Sequence, residues 1–288
     1  MPLNLSKQHI IERIDTLPTL PVVMMRILDC INDPHSSAED LKNIIIKDPS
    51  TSSKVLSLAN SAYYGYTKSI EDITRAIIVL GFDTIIDIAL SVSLSSIINP
   101  PANSLDVPLE EMWKHSIAAG LACHLCAEKN IYPYKELAFL IGLIHDIGKI
   151  VNACFFPEEF NTVLKNTGNN EKYIFEEEKN VLGFTHNEAG KWLSAKWNLP
   201  PSISIPIQFH HDPQHAPEEF RKEAVLAHFA DHIVRLSNIG ASGDNNKLTV
   251  LSPLVNSHLK IDENEIESYV QELDNLIPKI QAFVDSIL

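Results

Sequence analysis

The chain has 288 residues, enough to bury a sizeable core in one or two domains. Hydrophobic residues are 45% of it and charged ones 21%, the balance of an ordinary globular protein. A net charge of −14 excludes a general nucleic-acid or anionic-membrane surface, though not a local basic pocket.

Before Glu12 there is no long apolar run, and Lys7 and Arg13 are scattered, so no signal-peptide pattern is expected. No apolar stretch of about 18 residues is free of charge, so no transmembrane helix is expected either, and a cytoplasmic protein follows. Helical periodicity dominates, with only ten glycines and no alternating β-branched runs. Leu17–Pro21 (L-P-T-L-P) cannot be helical in its middle, because the second proline restricts the residue before it. Val22–Ile31 reads as a helix with Val23, Ile27 and Ile31 on one face. Ser36 and Glu39 have capping-box spacing and predict a helix to Ile46. Asp48-Pro49 starts the next, Ser50–Ala59, and Asp48 and Asn60 read as helix-boundary residues. Glu71–Leu80 stops at Gly81. Phe82–Ile98 follows, and Pro100-Pro101 closes a first helical lobe, residues 1–101.

Histidines gather in the second lobe, residues 102–238. Glu110–Lys129 is a predicted helix carrying His115. Its Cys123-x-x-Cys126 lacks a second pair to complete a zinc site, and both thiols read as small core residues. Leu137–Asn152 is apolar nearly throughout until it presents His145, Asp146 and Lys149 within five residues. It reads as one buried helix, and burying an imidazole beside a carboxylate is costly unless something pairs them. A bound metal ion is the most direct partner. The plainer alternative is a helix end with Asp146 and Lys149 solvated and His145 hydrogen-bonded. Thr185 and Glu188 cap a helix His186–Trp197, with His186 at its N-terminus. Ile203–Phe209 leads into His210-His211, and Glu223–Leu236 carries His228, Asp231 and His232. The run Glu176–Glu178 reads as a solvated face, with one outer ligand among them as the alternative.

Three segments in order, Leu17–Pro21, Lys47–Gly65 (K-D-P-S-T-S-S-K-V-L-S-L-A-N-S-A-Y-Y-G) and Ala76–Leu90, resemble the HDOD family of bacterial signalling modules. The resemblance continues through H-D-I-G-K to about residue 236. It implies a two-lobed all-α fold and a regulatory role through protein partners. In the related HD-domain hydrolases a histidine, the HD pair and a distal aspartate hold one metal. The matching positions are His115, His145, Asp146 and Asp231. The HD-GYP branch, which hydrolyses cyclic di-GMP, adds a histidine and a tandem histidine pair, matching His186, His210 and His211. The resemblance thus implies a site for divalent metal, iron or manganese before zinc or nickel, with Asp146 bridging and Lys149 facing a phosphate. His215, His228 and His232 match no ligand position, though His228 and His232 are the nearest omissions. After His210-His211 the chain runs D-P-Q-H-A-P-E-E-F with no G-Y-P, so cyclic di-GMP hydrolysis is not expected. The competing readings are a regulatory interaction module and a metal-dependent phosphohydrolase.

The remainder, residues 239–288, opens on the turn-rich Gly240–Asn246. Asp262–Leu288 is amphipathic, with Ile266, Val270, Leu273, Ile277, Ile280 and Val284 inward and a kink or division at Pro278. Its apolar face serves either packing within the chain or a homodimer seam.

Overall fold

A computed structural model describes residues 13, 16–61, 64, 69–96, 107–129, 135–169, 173–243 and 250–287. All regular elements among them are helical, giving an all-α fold. They form two compact units, one of Met1–Thr19 with Pro100–Asp274 and the other of Leu20–Asn99 with Asn275–Leu288. The C-terminal helix contributes residues to both units.

The smaller unit contains α1 (Val22–Asn32), α2 (Ala38–Ile45), α3 (Pro49–Ala59), α4 (Ile73–Leu80) and α5 (Phe82–Ser95). Its core is apolar: Met24, Ile27, Leu41, Ile45, Val55, Leu58 and Ile85 are fully buried. The helix ends are written locally. The Asp48 side chain accepts from the Ser50 and Thr51 amides ahead of Pro49, and Asn60 bonds in both directions with the Ile70 backbone. Gly81, at φ 91°, ends α4 in a conformation that favours glycine. One expected boundary is corrected. The capping box is Ser37 with Asp40, not Ser36 with Glu39. Both pairs have the required spacing, but Ser37 has the extended backbone of a cap.

The larger unit contains α6 (Leu109–Lys129), α7 (Lys135–Ile144), α8 (Ile147–Phe155), α9 (Pro157–Asn169), α10 (Ile174–Val181), α11 (His186–Lys196), α12 (Pro201–Phe209), α13 (Arg221–Leu236) and α14 (Leu254–Leu259). Trp197 donates from its indole to the Pro18 carbonyl, a bond within this unit. The last helix, α15 (Glu263–Ile287), runs through Pro278 without division. Leu273, Ile280 and Val284 are buried as expected, joined by Tyr269, Phe283 and Ile287, while Ile266, Val270 and Ile277 are half-buried. Within the smaller unit, the Ile287 carbonyl accepts from Lys54 and Ser95, a tie between residues far apart in sequence.

The stretch Leu137–Phe155 is long and apolar enough to cross a membrane by length and composition, but it carries Asp146 and Lys149, and 94% of its window is buried inside the protein. It is also two helices rather than one. The chain turns at His145 and Asp146, where Asp146 sits at φ −100°, ψ 14°. That sparsely allowed region recurs at active-site residues.

Two glycines bring the surrounding helices close. A Cβ on Gly142 would collide with the Ala119 carbonyl of α6, and one on Gly148 with the His186 carbonyl at the start of α11. Only hydrogen side chains let α6 meet α7, and α8 meet α11, at this separation. His115, His145 and His186 lie beside those crossings.

Candidate metal centre

The α7–α8 turn presents two side chains into a space walled by α6, α11, α12 and α13. His145 Nδ1 lies 2.7 Å from the Gly142 carbonyl oxygen. That bond assigns a proton to Nδ1 and turns Nε2 inward. His210 repeats the device, with Nδ1 3.0 Å from the Ile207 carbonyl at the end of α12. His186 Nδ1 is 2.6 Å from Glu178 Oε2. In each ring the outer nitrogen is held by an acceptor, and the inner nitrogen remains for another partner.

Those inner nitrogens converge on two aspartates. His115 Nε2 is 3.8 Å and His145 Nε2 3.4 Å from Asp146 Oδ2. They lie 3.2 and 3.8 Å from Asp231 Oδ1. On the other oxygen, Asp146 Oδ1 is 3.5 Å from His186 Nε2 and 3.4 Å from His210 Nε2. His211 Nε2 is 3.0 Å from His186 Nε2. Two sets of donors result: His115, His145, Asp146 and Asp231, and Asp146, His186, His210 and His211, each with its atoms within 4.8 Å of one another. Asp146 belongs to both, turning one oxygen to each.

The donor set fits a metal. Six of the seven side chains are buried, and only His211 is half-buried. His115 Nε2, His145 Nε2, His210 Nε2, Asp146 Oδ1 and both Asp231 oxygens are buried without an aligned hydrogen-bond partner. Orphaned polar atoms are costly in a folded core, and here they point at common centres. Imidazole and carboxylate together suit iron, manganese or zinc.

The charges are tightly balanced. Burial alone would raise Asp146, but the Lys149 ammonium, 2.8 Å from Oδ2, and the His145 imidazole hold its carboxyl well below the usual range. Burial likewise opposes ionisation of Asp231, which His115, His145 and Arg235 keep well below its ordinary value. Burial would lower His145, yet the Asp146 and Asp231 carboxylates push it up to about 10. Burial takes His210 down to about 4 and His211 well below its ordinary value. The first donor set without an ion therefore carries a proton on His145, which an ion would have to displace.

All seven expected ligand residues lie in this cluster, and Lys149 lies directly against it. His228 does not: its Nδ1 lies 2.7 Å from the His210 carbonyl, and its Nε2 accepts from the Ser252 amide at 3.0 Å. With both nitrogens committed, it braces the tandem histidines. His215 is exposed and pairs with Asp212. The solvated-face reading of Glu176–Glu178 holds for Glu176 alone among the three. Glu177 and Glu178 are buried, and Glu178 meets His186. Only tertiary packing tells the three glutamates apart.

Fold and site together define an all-α protein with an HD-type histidine–aspartate centre. The HDOD domain family model matches residues 17–213, and the chain belongs to that family. It is similar to an HDOD domain protein of unknown function from Geobacter sulfurreducens, at 25% identity and TM-score 0.80, covering 98% of this chain and 96% of that one. A candidate phosphohydrolase from Shewanella amazonensis SB2B has TM-score 0.74 at 22% identity, covering 97% and 98%. A candidate signal transduction protein from Marinobacter aquaeolei VT8 has TM-score 0.82 at 21% identity, covering 98% and 65%. An uncharacterised Treponema pallidum (strain Nichols) protein is 27% identical over 229 residues, 78% of this chain. The chain spans 44% of the length of that curated relative.

Proposed function

We propose that this HDOD protein is a regulatory signalling module that holds a pair of divalent ions, iron or manganese, and acts through protein partners. The observation that carries the reading is the shared carboxylate: Asp146 turns one oxygen to each of two buried donor sets. His115, His145 and Asp231 would hold one ion, and His186, His210 and His211 the other. These donors come from α6, the α7–α8 turn, α11, the end of α12 and α13, so occupancy would tie these elements together at two common points. A ligand set that spans five elements suits a module whose surface must be held in one arrangement. Metal analysis of protein purified without added metal, with the Asp146→Ala variant alongside, tests the reading. Two equivalents in the parent and none in the variant are expected. A metal-free parent that cannot be loaded with manganese or iron would overturn it.

The second reading, a metal-dependent phosphohydrolase, is favoured by Lys149. Its ammonium is buried 2.8 Å from the bridging carboxylate, where it would face a substrate phosphate as a point charge. A bound pair of ions would polarise the phosphate and lower the pKa of a water. Against it stand the burial of six of the seven donor side chains and the missing G-Y-P segment, since catalysis also needs substrate oriented for in-line attack. Weak or no hydrolysis of cyclic di-GMP by manganese- or iron-loaded protein is expected. Robust turnover that disappears in Asp146→Ala, with the fold intact, would make the phosphohydrolase reading the correct one.

A further inference from the structure

Glu178 is a fully buried carboxylate that meets three donors. Oε2 accepts from the His186 backbone amide at 2.8 Å and lies 2.6 Å from His186 Nδ1, while Oε1 accepts from Asn152 Nδ2 at 3.1 Å. It thereby joins α8, through Asn152, to the first residue of α11.

A purely structural account would make Glu178 a cap for α11. The capping box of α11 is complete without it, so Glu178 adds only the bond to the His186 amide. Thr185 Oγ1 accepts from the Glu188 amide, and Glu188 Oε2 accepts from the Thr185 amide. The contact with the imidazole ring goes beyond anything a helix end requires. A carboxylate on the outer nitrogen of a ligating histidine fixes its tautomer and ring orientation and makes the inner nitrogen a stronger donor. His145 has a neutral backbone carbonyl on its outer nitrogen, and His210 has a backbone carbonyl with the neutral Asn187 amide beside it. His186 alone among those three is backed by an anion.

We infer that Glu178 is the positioning residue of the second donor set, acting through His186 to set the affinity of that set for a divalent cation while leaving the first set unaffected. This rests on the metal-pair reading above. Lys179, next to Glu178, is exposed and pairs with Glu188, so the effect belongs to the inward-facing glutamate.

Glu178→Gln is the sharpest test, because it keeps the shape and removes the charge. Its amide oxygen can accept from His186, and its NH2 can donate to Asn152 Oδ1, which has no hydrogen-bond partner among the described residues, once the Asn152 amide turns over to exchange donor and acceptor. Manganese titrations by calorimetry, on metal-stripped parent and variant, should show two sites in the parent. One of these should be weakened about 10- to 100-fold in the variant and the other unchanged. His115→Ala, which lies in the first set, should weaken the opposite site. Two unchanged affinities in Glu178→Gln would overturn the inference and leave Glu178 as packing. A parent that binds no manganese, or one ion only, would overturn the metal-pair reading and this inference with it, and that failure appears in the parent and not the variant. If circular dichroism shows Glu178→Gln unfolded, Glu178→Asp decides. It keeps the charge but withdraws it by one methylene, so it must weaken the same single site, and unchanged binding there would also overturn the inference.

Discussion

The two units bury different chemistry. Among the described residues of the smaller one, the buried polar side chains are hydroxyls alone: Thr51, Ser91, Ser93 and Ser95. Ser91 and Ser93 return their hydroxyls to the carbonyl one turn back, so they cost the core little. In the larger one, His115, His145, Asp146, Lys149, Glu178, His186, His210 and Asp231 are all buried. The surfaces reverse the pattern. Val22, Met25, Ile46 and Ile78 of the smaller unit are large exposed apolar residues, whereas the larger contributes Leu236 and Val250. A core that buries charge needs each charge paired, because an isolated one costs several kcal/mol. Titratable groups therefore accumulate where something besides stability retains them, and the difference locates the chemistry in one unit.

The comparison breaks most severely at Asp146. Asp146→Ala leaves the Lys149 ammonium buried beside an empty space, and losing one partner of a buried pair costs about 3–5 kcal/mol. Both ions should be lost with it. Denaturant titration and metal analysis check the two effects, and retention of either ion would remove Asp146 from its bridging place. Gly148→Ala comes next. Its methyl group would collide with the His186 carbonyl, and such overpacking costs about 1–3 kcal/mol. Because the collision lies at the start of α11, the second donor set should loosen before the first. A drop in midpoint denaturant concentration with one weakened manganese site is the expected signature.

Replacing His210 and His211 together by alanine should roughly halve bound metal, since both belong to one donor set. Unchanged stoichiometry would return both to structural roles. Proton competition is a gentler probe. His145 titrates at about 10 in the ion-free protein, above its ordinary value, so at neutral pH its proton must leave before an ion binds. Affinity at the first site should rise about tenfold per pH unit below 10, equivalent to about 1.4 kcal/mol, and a flat profile between pH 6 and 8 would count against His145 as a ligand. The smallest effect belongs to the other unit. Ile78→Glu, at a residue 68% exposed, should change stability by no more than about 0.5 kcal/mol and metal binding not at all.

What was legible in the sequence has a common physical origin. Asp48-Pro49, Gly81 and Thr185-x-x-Glu188 act through bonds spanning two to four residues, so short windows suffice to read them. The histidines of the cluster were legible by type and order through family resemblance. Three features were not legible. Ser36–Glu39 and Ser37–Asp40 obey one spacing rule, and only backbone conformation chooses between them. The α7–α8 turn hides in an apolar run because both of its sides are buried, so hydropathy shows no interruption. Glu178 looks identical to its neighbours until α8 and α11 are in place around it.

The apolar run Leu137–Phe155 also fixes an order of events during synthesis. Its first partner, α6, precedes it, but α11, α12 and α13 leave the ribosome about 30 to 80 residues later. At roughly 5–20 residues per second, that run waits several seconds half-covered. During that interval its apolar surface is open to aggregation, and its own turn at His145–Asp146 has no counterpart from α11–α13 to close on. A truncation ending before Arg221 should therefore collect in the insoluble fraction, while the full chain stays in solution.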